Sequence, residues 1–513
     1  MERIGFDYFA SLNPTAPALV DPQHKSWSRG ELASLVNRLS RALRASDVSR
    51  GDVVAIIAPN CAEYVASYLA ATQIGAYLVP INWHISASEI AYILADCEAK
   101  VIVAHERFAS AALRATQSAA ECTRVAIGEA AGFNSLYDYV AAYSDLPLPD
   151  AVAGRPMFYT SATTGLPKGV VLSLPESFAA LERVIRLHIQ TGIALEQGNV
   201  HLCASMLYHG APLEAATIAL HMGHCVVIVD RWDPEMLLQL VERYTVTTTV
   251  MVPTMFVRML KLPAHTRARY DTRSLRRVIH TGAACPVEVK RQMIDWWGPL
   301  LWETYGAAEG AGTIVNSEEW LRFPGTVGRP IPGSDFLILD EDGHEQPRGI
   351  PGTIYFTRYT GDSFQYKGDP AKTAACHRGR FFSVGDIGYL NEENYLFICD
   401  RSVDMIISGG MNIYAAEIER VLILHPEVAD CAVFATPDEL LGEAVTAVIQ
   451  PLPGVPRTRQ LSFEIMQFLR KHLAPIKLPK RIEYLDELPR APNGKLYKRR
   501  LRELEFPKHS LES

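Results

Sequence analysis

Apolar positions along the chain fall into two rhythms. Leu32, Leu35, Val36, Leu39 and Leu43 repeat at the spacing of one helical face, and Ser28 with Glu31 ahead of them has the spacing of a capping box. Unbroken apolar runs of strand length follow: VVAIIA (53–58), YLVPI (77–81) and KVIVA (100–104), alternating with helical stretches at EYVASYLAA and near 87–96. Runs that do not alternate with polar residues suit strands buried on both faces, and strand–helix–strand succession implies right-handed crossovers. A largely parallel sheet is therefore predicted, and the same rhythm resumes at HCVVIVD (224–230), TTTVMVP (247–253) and LRRVIHTG (275–282).

Past Pro330 the texture changes. Short runs (FLILD, GTIYF, YLFICD) separated by the turn clusters DEDG and NEEN predict a smaller antiparallel β unit over about 330–400. After Arg401 come a glycine pair, a helix through EIERVLILH and mixed strand and helix patterns. The predicted class is α/β: a large N-terminal domain, residues 1–400, of mixed parallel sheets with helices plus the β unit, and a small α+β C-terminal domain, residues 401–513.

Composition narrows the partners. A chain of 513 residues exceeds what one core supports, so several domains or subdomains are expected. The net charge of −7 offers no basis for nucleic-acid binding by phosphate neutralisation. Basic residues do gather near the C-terminus (Lys471, Lys477, Lys480, Arg481, Lys495, Lys498, Arg499, Arg500), where a solvated face and an anion contact weigh equally. The nine cysteines are odd in number, scattered and without a CxxC pair, which argues against a disulfide framework and a zinc site. No apolar run approaches the ~18 residues of a membrane span, MERIGFDYFASLNPTAP lacks a leader pattern, and HSLES matches no targeting signal. The expectation is a soluble cytoplasmic protein, with a homodimer left open.

One stretch stands out for its chemistry. YTSATTGLPKG (159–169) packs four Ser and Thr hydroxyls, two glycines and a lysine together, yet GxxxxGK[ST] cannot be drawn through it. Because RPMFY before it and GVVLSL after it are strand-like, the loop joins two strands. Its anion donors would be backbone N–H groups freed by Gly165 and Gly169, the hydroxyls and the Lys168 ammonium. On composition alone, a polar surface hairpin is an equal reading.

YTSATTGLPKG resembles the phosphate loop of the adenylate-forming superfamily, which includes acyl- and aryl-CoA synthetases, peptide-synthetase adenylation domains and luciferases. Four more stretches resemble that family's motifs in its order: YGAAE (305–309), FFSVGD (381–386), DRSVDMIISGGMNIYAAEIE (400–419) and LPRAPNGK (488–495). The resemblance covers nearly the whole chain. It implies that a carboxylate attacks the α-phosphorus of ATP to give an acyl-adenylate and pyrophosphate, and that a thiol then displaces AMP. ATP, Mg²⁺ and coenzyme A are the implied cofactor and co-substrates.

The resemblance also distributes roles. Lys495 would supply charge at the α-phosphate, and Glu309, otherwise readable as a helix-start residue, would hold Mg²⁺. Thr160, Ser161, Ala162, Thr163, Thr164, Gly165 and Lys168 would form the β- and γ-phosphate cradle. Asp386, with Arg401, would take the ribose hydroxyls, and Tyr305 would stack on adenine. Gly282, Ala283 and Ala284 would line base and acyl group, with Thr304, Gly306 and Ala308 in the same wall. His209, in MLYHGAPL (206–213), would border the substrate carboxylate. The small residues Gly210, Ala211, Ala215 and Ala216 would leave room for a bulky or long acid. Gly409 and Gly410 would line a pantetheine tunnel once a mobile C-terminal domain rotates, and Lys477 or Lys480 would meet CoA phosphates.

The implied activity is an acyl-CoA synthetase for a fatty, alicyclic or steroid-side-chain acid. Its alternatives are an aryl-CoA ligase, an acyl-AMP ligase loading a carrier protein, and a degenerate nucleotide-binding protein. The chain departs from the family pattern at Ala162 (usually Gly), Ala308 and Val384 (usually Thr), Val403 (usually Lys or Asp) and Ala415 (commonly Pro).

Overall fold

The computed structural model describes residues 4–116, 122–160, 166–192, 198–409, 411–438, 440–490 and 496–504. Of the candidate residues, Ser161, Ala162, Thr163, Thr164, Gly165, Gly410 and Lys495 lie outside the described residues.

The unbroken apolar runs become parallel strands. Val53–Ile57 is buried along its whole length between Tyr77–Pro80 and Ala99–His105, at the centre of a six-stranded sheet. The helix Arg29–Ala45 begins with the expected capping box: the Ser28 hydroxyl accepts from Glu31 N–H at 3.2 Å and Glu31 Oε2 accepts from Ser28 N–H at 2.7 Å. A second, nine-stranded sheet takes Cys225–Ile228, Val200–Cys203, Thr248–Met251, Arg277–His280 and Leu301–Ala307 in parallel. It turns antiparallel at its edge, where Leu301–Ala307 folds back on Gly310–Asn316.

A third sheet is small and wholly antiparallel. Lys168–Leu172 pairs with Phe158–Thr160 on one side and Phe364–Tyr366 on the other. The β unit expected past Pro330 is an antiparallel sheet running from Phe336–Leu339 to Leu396–Arg401 around Ile354, Phe356, Phe364 and Phe382. The small C-terminal domain builds its own five-stranded sheet, in which Val428–Asp438 and Gly442–Pro451 form a long hairpin. Its core, around Ile406, Ile418, Val433 and Ile465, is separate from those of the large domain. Among the described residues no helix is long and apolar enough to cross a membrane.

Candidate active site

A cleft of about 1880 Å³ gathers the ends of these elements. Its first wall is the ribbon that leaves the nine-stranded sheet. Thr304, Tyr305, Gly306, Ala308 and Glu309 line it in succession, and Gly282 faces them from the strand next door. Gly282 has φ +84°, a left-handed conformation that costs glycine little, and the Thr281 hydroxyl donates to Thr304 O at 2.7 Å, tying this loop to the ribbon. Ala283 and Ala284 do not share the wall; the chain turns at Gly282 and both are exposed outside the cleft lining.

Two carboxylates, Glu309 on this wall and Asp386 bonded to its Tyr305, are buried and held. Asp386 opens the strand Asp386–Leu390; it accepts from the Tyr305 hydroxyl at 2.6 Å and lies 3.4 Å from Arg401 Nε. Burial, and then the Asp386 charge, push the Tyr305 phenol well above its ordinary range, so it stays a donor. Tyr305 is thus anchored at its hydroxyl end, a contact the sequence did not suggest. Glu309 occupies the turn between two antiparallel strands, so the helix-start alternative falls away. Its Oε1 accepts from the Tyr366 hydroxyl at 2.8 Å, and its backbone carbonyl accepts from Arg358 Nη1 at 2.5 Å. Arg358 is itself fixed by Asp362 through Nε at 2.7 Å.

The phosphate-loop candidate joins two strands, as expected, but Lys168 and Gly169 already belong to the second of them. Lys168 forms an ion pair with Asp369, whose other oxygen caps the helix Pro370–Cys376 by accepting from Lys372 N–H at 2.9 Å. Gly169 is demanded by packing, because a Cβ there would sit 2.9 Å from the Tyr159 ring across the hairpin. Its N–H is therefore not freed for an anion by a loop conformation, while the Tyr159 hydroxyl is spent on Asp96 at 2.5 Å.

The third wall is the helix Gly210–His221, with His209 at its N-cap and the Tyr208 and His209 rings 4.4 Å apart. Its cleft side carries Ala211, Glu214, Thr217, Ile218 and His221. Ala215 and Ala216 do not contribute space: Ala216 is buried in the core with Leu213 and Leu220, and neither alanine lines the cleft. The stripe is roughly 18 Å long at 1.5 Å per residue, and Phe158, Phe178, Leu181 and Ile185 also line the cleft.

The C-terminal domain closes over the cleft. Leu496, Tyr497 and Arg502 line it, and Tyr497 is among the causes, after burial, that raise the Tyr208 phenol. Lys498 is buried against Glu419 at 2.9 Å, and Arg502 reaches Asp404 at 3.0 Å, so the basic C-terminal cluster is split between pairing and solvent. Lys477 is taken by both oxygens of Glu417, at 2.7 and 2.8 Å, while Lys480 is exposed. Gly409, φ +56°, lies away from the cleft beside Leu441.

The departures from the family pattern have physical settings. Ala308 and Val384 both line the cleft and pack against the aromatic cluster of Phe356, Phe364 and Phe382, so two expected hydroxyls are replaced by apolar contact in one place. Ala415 is the first residue of the helix Ala415–Leu422, where a proline would lose no hydrogen bond and its absence loses none. Arg358, Tyr366, Asp369 and Lys372 were not anticipated; Asp369-Pro370, an N-cap followed by proline at the first helical position, was the available signal.

Residues 6–360 match the family described as AMP-binding enzyme, and 417–495 the AMP-binding enzyme C-terminal domain. The chain belongs to the AMP-binding enzyme family, whose class here is that of AMP-forming acid–thiol ligases. Among its relatives are an indoleacetate–CoA ligase of Aromatoleum aromaticum, 33% identical over 99% of this chain and 98% of the other. A fatty acid–[acyl-carrier-protein] ligase of Streptomyces coeruleorubidus is 31% identical over 97% and 95%. The crystal structure of ATP-bound MatB from Rhodopseudomonas palustris superposes with a TM-score of 0.81 at 28% identity, covering 98% of this chain and 99% of that one.

Proposed function

We propose that this protein is an ATP-dependent acyl-CoA synthetase for an apolar-bodied carboxylic acid of fatty, alicyclic or steroid-side-chain type. The observation that carries the reading is the groove along Gly210–His221, which starts at His209 and opens into the cleft lined by Tyr305, Glu309 and Arg401. A benzoate would end in its first turns. Indoleacetate and fatty acids, the acids named for the two relatives, both carry an apolar body on a methylene next to the carboxyl group.

In the first step the substrate carboxylate attacks the α-phosphorus and pyrophosphate leaves. In the second a thiol sulfur attacks the acyl carbon, gives up its proton, and AMP leaves. His209 borders the carboxylate. Tyr305 and Gly282 flank the base, Asp386 with Arg401 takes the ribose, and Thr160, Lys168 and the loop between them take the β- and γ-phosphates. Lys495, next to the cleft-lining Leu496, brings the charge that lets two anions meet. Glu309 fits a magnesium ion: its one accepted hydrogen bond leaves acceptor capacity on a buried carboxylate. When bound, that ion would offset triphosphate charge.

The domain boundary in this reading falls at 400/401. Asp400 spans it, accepting from Arg401 N–H at 2.8 Å and from Ala416 N–H, in the first turn of the next helix, at 3.0 Å. Rotation there withdraws Lys495 and brings Gly409 and Gly410 toward the thiol.

The test is acid-dependent pyrophosphate release across fatty, alicyclic, steroid and aromatic acids, with CoA or a carrier protein as acceptor. Preference for benzoates, or AMP release only with the carrier, would replace this reading by the aryl or carrier-loading one. Lys495→Ala is expected to lower adenylate formation by at least ~10²-fold while leaving thioester formation from preformed acyl-adenylate within about threefold. Equal loss of both half-reactions would remove the assigned role.

A further inference from the structure

A cleft-lining lysine that no motif contains stands near Lys168. Lys372, on the helix Pro370–Cys376, lies with its ammonium 4.9 Å from the centre of the Tyr366 ring, and the Lys168 ammonium lies 5.9 Å from the same centre. Lys168 is neutralised by Asp369, whereas Lys372 forms no ion pair among the described residues. Both Lys372 and Tyr366 line the cleft, and the Tyr366 hydroxyl is the group bonded to Glu309. Two ammonium groups thus lie near one ring whose hydroxyl is bonded to the candidate metal ligand. Desolvation, and then Lys168, hold the Lys372 ammonium below the ordinary lysine value, against the opposing pull of Asp369 and Glu309. The same wall is short of a donor, because Ala308 lacks the hydroxyl its family pattern would supply.

We propose that Lys372 is a binding residue for the triphosphate of ATP, completing with Lys168 a two-lysine clamp around Tyr366. The proposal rests on the adenylation reading above. With phosphate present, Lys168 exchanges Asp369 for a phosphate oxygen and Lys372 gains its first anionic partner. Both ammonium groups lie near the Tyr366 ring, whose hydroxyl connects them to Glu309.

The test compares wild type with Lys372→Ala and Lys372→Arg by isothermal titration with MgATP and with inorganic pyrophosphate, and by the KM for ATP in pyrophosphate release. Lys372→Ala should weaken MgATP binding and raise the KM for ATP roughly 10- to 30-fold, the loss expected of one charge-assisted contact. The KM for the acid and the melting temperature should stay unchanged, because the side chain is exposed and unpaired by carboxylate. Lys372→Arg should recover most of the loss. MgATP affinity and KM within twofold of wild type in Lys372→Ala would overturn the proposal. So would a loss that arginine fails to restore at an unchanged melting temperature, since that would point to lysine-specific geometry instead of charge. If wild type binds MgATP and the alanine variant does not, yet no carboxylic acid drives turnover, Lys372 stands and the ligase reading falls; if wild type itself binds no MgATP, both fall.

Discussion

Lys290 with Glu303, and Lys168 with Asp369, are the same chemical pair in two settings. Lys290 is fully buried, 2.7 Å from Glu303, which immediately precedes the wall residues Thr304 and Tyr305. His280 stands 3.5 Å from the same carboxylate, and burial, followed by Lys290, keeps its ring neutral. Burial pushes Glu303 up while Lys290 draws it down, so the carboxylate depends on its lysine. Lys168 and Asp369 keep 23% and 33% of their side-chain surface exposed, and each is replaceable by water or by an incoming ion. A sealed pair cannot change partners without leaving a bare charge in the core, whereas a rim pair of this kind contributes at most about 1 kcal/mol. The first therefore fixes the ribbon, and the second is free to serve the ligand.

The contrast can be broken most visibly from the buried side. Lys290→Met should destabilise the fold by about 3–5 kcal/mol, measured by urea unfolding, with Lys290→Met/Glu303→Leu recovering most of it. A single-variant loss below about 1 kcal/mol would mean the pair is no more sealed than the one at the rim. Ala308→Thr should add a donor to the rim and raise the adenylation rate about tenfold, short of the ~10²-fold that one preorganised donor can carry; an unchanged rate in single-turnover measurements would show that the aromatic cluster keeps the hydroxyl from phosphate. Lys168→Ala should raise the KM for ATP roughly fivefold to tenfold with no change in melting temperature, the reverse of the Lys290 result. Smallest of all, Ala162→Gly should shift the KM for ATP about twofold by freeing the loop and leave acid preference alone; a change in acid ranking would tie that loop to the acyl groove.

What could be read from residues alone follows how local each cause is. Val53–Ile57 and Cys225–Ile228 announced parallel strands because burial on both faces writes itself into consecutive apolar residues. Ser28 and Glu31 announced a helix start because their bond spans three residues. The helix GAPLEAATIALH gave no such guidance: it is apolar on nearly every side, so its period does not tell the groove stripe from the core stripe, and small size alone put in the groove both Ala216, which lies in the core, and Ala215, which is half-buried off the cleft lining. Partners such as Asp369 for Lys168, 201 residues away, and Tyr366 for Glu309, 57 away, are set by how three sheets meet. Family resemblance pointed to Glu309 but not to Tyr366 and Arg358, which hold it.

On Gly210–His221 the cleft residues Ala211, Glu214 and His221 are distinct from the core residues Leu213, Ala216, Ala219 and Leu220, while Pro212 and Thr217 are both buried and at the cleft. The two sets turn with the helix on neighbouring faces that meet at Pro212 and Thr217. A new acid can be accommodated by rewriting the first set while the second goes on holding the helix to its sheet, and neither lies on the ribbon that carries Tyr305 and Glu309. Selection, or a protein engineer, can then treat this helix as an exchangeable liner, which makes a family that keeps one nucleotide and trades its acids an accessible outcome of the architecture.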